Sequence, residues 1–131
     1  MTRKDYDRYA AAFNARDYDG VFDFYHENPR MAFFGIEITT REQLREFYTF
    51  LHDHVRETIK VERFAAGDDL VAVEGVIRIE AFRDLTREAL DARGMQQFFP
   101  IKAGDVQEMR QYIHYHLQDG KIMGVGCAIV P

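Results

Sequence analysis

A chain of 131 residues has room for one core of useful size, and 47% hydrophobic with 30% charged residues is the composition of a folded globule. Its formal charge of −5 argues against nucleic acid or an anionic membrane surface as a partner. No apolar run approaches the ~20 residues of a membrane span, no signal peptide opens the chain, and a single cysteine, Cys127, forms no intrachain disulfide, which fits a reducing cytoplasm. Eleven Phe and seven Tyr without a Trp suit an apolar pocket as well as an aromatic core.

Residues 3–16 read as a helix, with Tyr6, Tyr9, Ala10 and Phe13 on one apolar stripe. Asp17 can cap a short second helix carrying Val21, Phe22, Phe24 and Tyr25, and Asn28-Pro29 stops it. Arg30–Phe34 and Ile36–Thr39 read as two short strands around Gly35. Thr39-Thr-Arg-Glu42 and the overlapping Thr40/Gln43 pair open a further helix that runs to about His54, with Leu44, Phe47, Tyr48, Leu51 and Val55 on one side. His52 and His54, near its end, read as solvent-facing residues that compensate the helix dipole.

Strand patterns follow. Residues 57–65 form one strand, Gly67-Asp68-Asp69 a turn, and Leu70–Phe82 a long second strand whose Val71, Val73, Ile77, Ile79 and Ala81 make one apolar face. Residues 84–105 interrupt the sheet: Thr86 can cap a short helix, Leu85 and Leu90 fit a hydrophobic staple, Gly94 fits a stop, and Met95–Ile101 is apolar for a loop. Asp119-Gly120 predicts a tight hairpin between 109–117 and 121–130. Alternation then puts Arg110, Tyr112, His114 and His116 on one face and Gln111, Ile113, Tyr115 and Leu117 on the other. The polar row either faces water or lines a cavity.

The order helix, short helix, strand pair, helix and long antiparallel strands, with Tyr9-Ala-Ala-Ala-Phe-Asn-Ala-Arg-Asp17, Arg41-Glu-Gln-Leu-Arg-Glu-Phe-Tyr48 and Asp119-Gly-Lys-Ile122, resembles the nuclear transport factor 2-like superfamily in its SnoaL-like and ketosteroid-isomerase-like branches. The resemblance spans nearly the whole chain. It implies a single domain over 1–131 with a variable insertion at about 84–105. The implied fold is α+β: a curved antiparallel sheet wrapped around N-terminal helices, forming a cone with an apolar cavity. It further implies a small hydrophobic molecule as ligand, no cofactor, no metal, and a homodimer through the outer sheet face.

On this alignment the cavity-facing positions are Tyr112, His114 and His116 on one strand. On the strand before it they are Ala72, Glu74, Val76 and Arg78, and on the last they are Met123, Val125, Cys127 and Ile129. The Val71/Val73/Ile77/Ile79 face is left for a dimer partner. Tyr9 matches the oxyanion-donating tyrosine of the steroid isomerases, Phe33 stands at their base position, and Tyr112 stands at the place of their protonated aspartate. Cys127 stands where the family's epoxide hydrolases carry an aspartate. The implied activity is a cofactor-independent isomerase, cyclase or dehydratase acting on an apolar carbonyl compound, with a non-catalytic binding module as the alternative. In the first case Glu74 or His114 moves the proton while Tyr9 and Tyr112 stabilise an enolate. Phe13, Phe33, Phe47, Arg78, His116, Met123 and Cys127 complete the expected ligand-binding wall.

Overall fold

The structure, a computed structural model, describes residues 1–131. Helix α1 (Arg3–Asn14) starts in a capping box in which the Thr2 hydroxyl accepts from the Asp5 amide and the Asp5 carboxylate accepts from the Thr2 amide. It ends tied to the sheet, because the Asn14 side chain both donates to the Ile59 carbonyl and accepts from the Ile59 amide, at 3.0 and 2.8 Å. Helix α2 (Tyr18–Phe22) is capped by Asp17, as its sequence predicts. Strands β1 (Met31–Phe33) and β2 (Ile36–Ile38) form a small hairpin through Phe34 and Gly35, both in the left-handed region. Helix α3 (Arg41–His52) is capped by Thr40, and the Gln43 side chain closes the reciprocal bond on Thr39 rather than on Thr40.

The main sheet comprises β3 (Val55–Ala66), β4 (Leu70–Ala81), β5 (Val106–Gln118) and β6 (Lys121–Ile129), antiparallel in that order. Between β4 and β5 lies helix α4 (Arg87–Ala92), capped by Thr86, with Leu85, Leu90, Met95 and Phe98 buried beneath the loop. The architecture is thus α+β, with the helices packed against one face of a curved sheet. No helix is long and apolar enough to cross a membrane.

Which face is covered corrects the expected orientation. Val71, Val73, Ile77 and Ile79 of β4 and Ile113, Tyr115 and Leu117 of β5 are all buried against the helices. Turning the other row inward would have placed Glu74, Arg78, His114 and His116 in the core and left seven large apolar side chains in water. Burial of apolar area decides such a choice, because alternation moves a whole row at once. Val71, Val73, Ile77 and Ile79 therefore form the core and not a dimer face. Glu74, Arg78, Tyr112, His114 and His116 stand on the outer face, where Glu74 lies opposite Tyr112 and Ala72 opposite His114 in the β4/β5 register. There Glu74 pairs with Arg63 and Arg78 with Glu80 and Glu108, all in exposed ion pairs of small energetic worth.

On β6 the expected parity holds for Val125, Cys127 and Ile129 but not for Met123. A bulge beside the hairpin pairs Leu117 with Ile122 and His116 with Gly124, leaving Met123 as the extra residue. Ile122 and Val125, three apart, thereby both face inward. The same kink brings Gly124 against β1, where a Cβ would stand 2.9 Å from the Arg30 carbonyl oxygen, so only glycine fits.

Candidate functional site

The sheet, α1, α3 and the segment 84–105 enclose a cavity of about 130 Å³. Of its 21 lining residues 19 are hydrophobic, and the two exceptions are Glu57 and Gln111. The helices contribute Tyr9, Phe13, Phe47, Tyr48 and Leu51, and the sheet contributes Ile59, Ile77, Ile79, Ile113, Tyr115, Val125 and Cys127. Phe34 and Phe99, both exposed, stand at the mouth with the buried Phe98 packed against each. Phe34 meets Phe98 edge-on at 4.6 Å and Phe98 stacks on Phe99 at 5.0 Å. A strained left-handed backbone at Phe34 (φ 51°) presents that ring to the loop.

Of the residues that sequence reasoning nominated, Tyr9, Phe13, Phe33, Phe47 and Cys127 line the cavity. Glu74, Arg78, Tyr112, His114, His116 and Met123 do not. The nominated proton carriers and the nominated donor Tyr9 are thus on opposite sides of the sheet. Phe33, at the position where the steroid isomerases carry their base, packs on Phe47 and Tyr48 and carries no proton.

The charged group in the cavity is Glu57, which sequence reasoning missed. On β3 the inward row is Val55, Glu57, Ile59 and Val61, with Glu57 opposite Ile79 and Ile59 opposite Ile77. A carboxylate interrupting an alternating apolar row was the legible signal. One of its oxygens is 3.0 Å from Nε2 of His52, and the other has no protein partner. His52 is 2% exposed, sandwiched by Tyr18, Tyr48 and Phe13, and its Nδ1 lies 2.8 Å from the Tyr18 hydroxyl. It is a buried member of a hydrogen-bonded chain, not the solvent-facing helix-end residue expected. Its spacing of four from Tyr48 and eight from Leu44 puts it on the core side of α3.

Besides Gln111, tyrosines supply the remaining polarity of the cavity wall. Tyr9 and Tyr25 share a hydroxyl–hydroxyl bond of 3.0 Å, and Tyr6 and Tyr115 share one of 2.7 Å. Two hydroxyls joined by one bond keep one proton over. For Tyr9 and Tyr25, both in the cavity wall, a ligand acceptor can take it. The Tyr48 hydroxyl has no protein partner, and no enclosed side-chain polar atom of the protein lacks one, so this hydroxyl opens on cavity space. Burial pushes the phenols of Tyr9, Tyr48 and Tyr115 well above their usual range and that of Tyr25 to about 12. They remain protonated donors at any physiological pH. Desolvation in the cavity wall raises the Cys127 thiol, with the Glu57 charge adding to it, which disfavours the thiolate that a nucleophile needs. The field of Glu57 reaches Tyr48 as well. The cavity thus combines neutral donors with one carboxylate in an apolar wall, and no cluster of His, Cys, Asp or Glu forms a metal site.

A model of the SnoaL-like domain matches residues 6–125. The chain belongs to the SnoaL-like family. A comparison with curated proteins finds no match. Among solved structures, the SnoaL-like chain is similar to a proposed polyketide cyclase from a Silicibacter species, with 19% identity over 97% of this chain and 87% of that one and a TM-score of 0.77. It is also similar to a proposed polyketide cyclase from Xanthomonas campestris pv. campestris, with 20% identity, 95% and 86% coverage and a TM-score of 0.75. A third similar structure is a Catenulispora acidiphila protein with a ketosteroid isomerase-like fold, solved with trimethylamine, at 11% identity, 98% and 86% coverage and a TM-score of 0.71. At these identities the likeness shows the fold: the SnoaL-like cone seen here, which supports a small-molecule-binding family.

Proposed function

We propose that this SnoaL-like protein binds a small apolar compound with a ring carbonyl and moves a proton on it without a cofactor, as an isomerase, cyclase or dehydratase does. The observation that carries the reading is Glu57, a lone carboxylate with one free oxygen in a wall that is otherwise almost entirely hydrophobic. A desolvated carboxylate facing a carbon acid is a general base. Tyr48, together with the spare proton of the Tyr9/Tyr25 pair, would hold the carbonyl oxygen and stabilise the enolate. Of the roles read from sequence, the donor role stays with Tyr9, while the base role moves from Glu74 and His114 to Glu57. The similar structures described as polyketide cyclases support the carbonyl class of ligand.

Cavity size narrows the class. About 130 Å³ is close to the roughly 150 Å³ that accommodates a benzene ring in an engineered apolar cavity. One ring fits inside, and a second would extend past Phe34 and Phe99 at the mouth, with residues 84–105 serving as the lid. Cyclohexenone should therefore bind more tightly than methylcyclohexene by calorimetric titration. Tyr48→Phe should reduce that preference about 5-fold, the worth of one hydrogen bond of about 1 kcal/mol. Equal binding of ketone and hydrocarbon would remove the donor role and favour the alternative, a module that stores a hydrophobic ligand unchanged. The specific support for that alternative is Phe33 and Cys127, which replace the aspartates of the family's two known machineries.

The outer sheet face is the place for a second copy in this reading. Tyr112, 46% exposed, stands among residues of β4 and β5 that carry both signs of charge, Glu74, Arg78, Glu108 and Arg110. Sedimentation velocity should show a dimer that Tyr112→Glu converts to monomer; a monomeric wild type rejects the interface.

A further inference from the structure

We propose that the same cavity takes a second class of ligand, a small organic monocation such as an N-alkylated ring amine, with Glu57 as its counter-charge and the aromatic lining as its cage. This goes beyond the proton transfer above and stands whether Glu57 acts as a base or only binds. Two features carry it: a carboxylate with no cation beside it, and the kind of wall around it. The Glu57 side chain is 16% exposed, and the one basic group within 4 Å of it is the imidazole of His52. That ring is neutral. The Tyr18 hydroxyl lies 2.8 Å from its Nδ1 and 3.5 Å from the Tyr48 carbonyl, so it donates to the nearer acceptor and Nδ1 carries no hydrogen. One oxygen of Glu57 accepts the hydrogen of His52 Nε2, and the other has no protein partner. The charge of Glu57 is therefore desolvated and unpaired, a costly state that a cationic ligand relieves.

The wall narrows the kind of cation. Six phenylalanines and four tyrosines line the cavity together with Glu57. The face of an aromatic ring carries negative potential, so such a lining repels a second anion and attracts a cation. Around Tyr48, whose hydroxyl lies in the field of Glu57, the rings stand at steep angles. Phe13 meets Tyr48 at 86° and Phe47 meets it at 81°, with centroids 5.5 and 5.2 Å apart. Rings set this way wall a box on several sides, the arrangement that holds quaternary ammonium groups. A hard metal ion matches the wall poorly, because it takes six or more oxygen ligands and finds one carboxylate. An organic cation needs no such shell: its apolar carbons fill the lining while its charge meets Glu57. The volume of about 130 Å³ sets its size at one six-membered ring. Such a cation sits against the free oxygen of Glu57, where the carbonyl compound would react, so the two ligands compete.

N-methylpyridinium and toluene share one shape and differ by one charge, so the pair isolates the cation. In nuclear magnetic resonance titrations, Glu57→Gln should bind N-methylpyridinium at least about 10-fold more weakly than the wild type does, as removal of a desolvated charge partner predicts. Toluene, with no charge to lose, should stay within about 2-fold. Undiminished cation binding, or an equal loss of both ligands, overturns the site. Tyr48→Leu removes the ring common to both right-angle contacts and should weaken the cation about 3-fold relative to toluene; an unchanged ratio overturns the cage. The wild type alone supplies a further check. N-methylpyridinium should inhibit turnover of nitrobenzisoxazole competitively, and binding without inhibition places the cation outside the cavity and overturns the proposal. The titration needs no turnover, so the two readings of Glu57 fail separately. Cation affinity lost in Glu57→Gln with turnover kept sinks the base and supports the cation site, and the reverse pattern sinks the cation site alone.

Discussion

Glu57→Gln should lower kcat/KM for nitrobenzisoxazole by roughly 10² to 10⁴, the usual contribution of a positioned general base. The probe is chosen because its chemistry is a single proton abstraction. The base takes the ring C–H proton, the electron pair forms the nitrile, the N–O bond breaks, and a coloured cyanonitrophenolate leaves. It therefore reports a desolvated carboxylate without requiring the natural substrate. Glutamine preserves the size of the side chain and can still present a carbonyl oxygen to His52 Nε2, 3.0 Å from the native carboxylate. Loss of turnover with an unchanged thermal midpoint would thus be loss of the base. Glu74→Gln is the companion measurement. On the outer face, paired with Arg63, it should leave turnover within about 2-fold, because a screened surface ion pair is worth little. If Glu57→Gln retains wild-type turnover, the carboxylate is no base and the reading as a binding module takes over.

Tyr115→Ala should destabilise the fold by about 3–5 kcal/mol, the range for removing a buried aromatic side chain. Tyr115 is 3% exposed, and its ring meets those of both Tyr6 and Tyr9 edge-on, at 5.3 and 5.7 Å. Its hydroxyl is also the partner of the fully buried Tyr6 hydroxyl. A series of phenylalanine variants separates packing from the hydrogen bond. Tyr115→Phe alone strands the Tyr6 hydroxyl and should cost about 1–3 kcal/mol. The double variant with Tyr6→Phe removes both partners and should recover most of that loss in a urea titration. Additive losses would mean that the two hydroxyls do not act as a pair.

Much of this molecule is written locally. The caps at Asp17, Thr40 and Thr86, the glycine turns at Gly94 and Gly120, and the alternation along residues 70–82 and 109–117 follow from side-chain chemistry over a few residues, and the structure has each of them. The family and the cone could be read from the order of these elements. The direction in which β5 faces could not be read from an alignment anchored at Asp119-Gly120, because an unbroken hairpin would set His114 opposite Val125 and His116 opposite Met123, whereas the bulge at Met123 on β6 pairs Tyr115 with Val125 and His116 with Gly124. One extra residue breaks the alternation on which face assignment depends. Glu57 escaped notice for a different reason: a carboxylate on a strand reads as solvent-facing until its neighbours Val55, Ile59 and Val61 are counted. His52 escaped because a histidine in a last helical turn has a ready explanation in the helix dipole.

The sequence by itself determined the elements, their order, the aromatic lining supplied by Tyr9, Phe13, Phe33 and Phe47, and an acidic chain without a basic patch. These depend on periodicity, capping and composition, which act within a few residues. Tertiary structure alone decided which face of the sheet meets the helices, and so which carboxylate is enclosed. It also brought Tyr18, His52 and Glu57, from three different elements, into one hydrogen-bonded chain. The physical reason is that a face is chosen by the total apolar area a whole sheet can bury against its helices, a sum over distant residues that no local window contains.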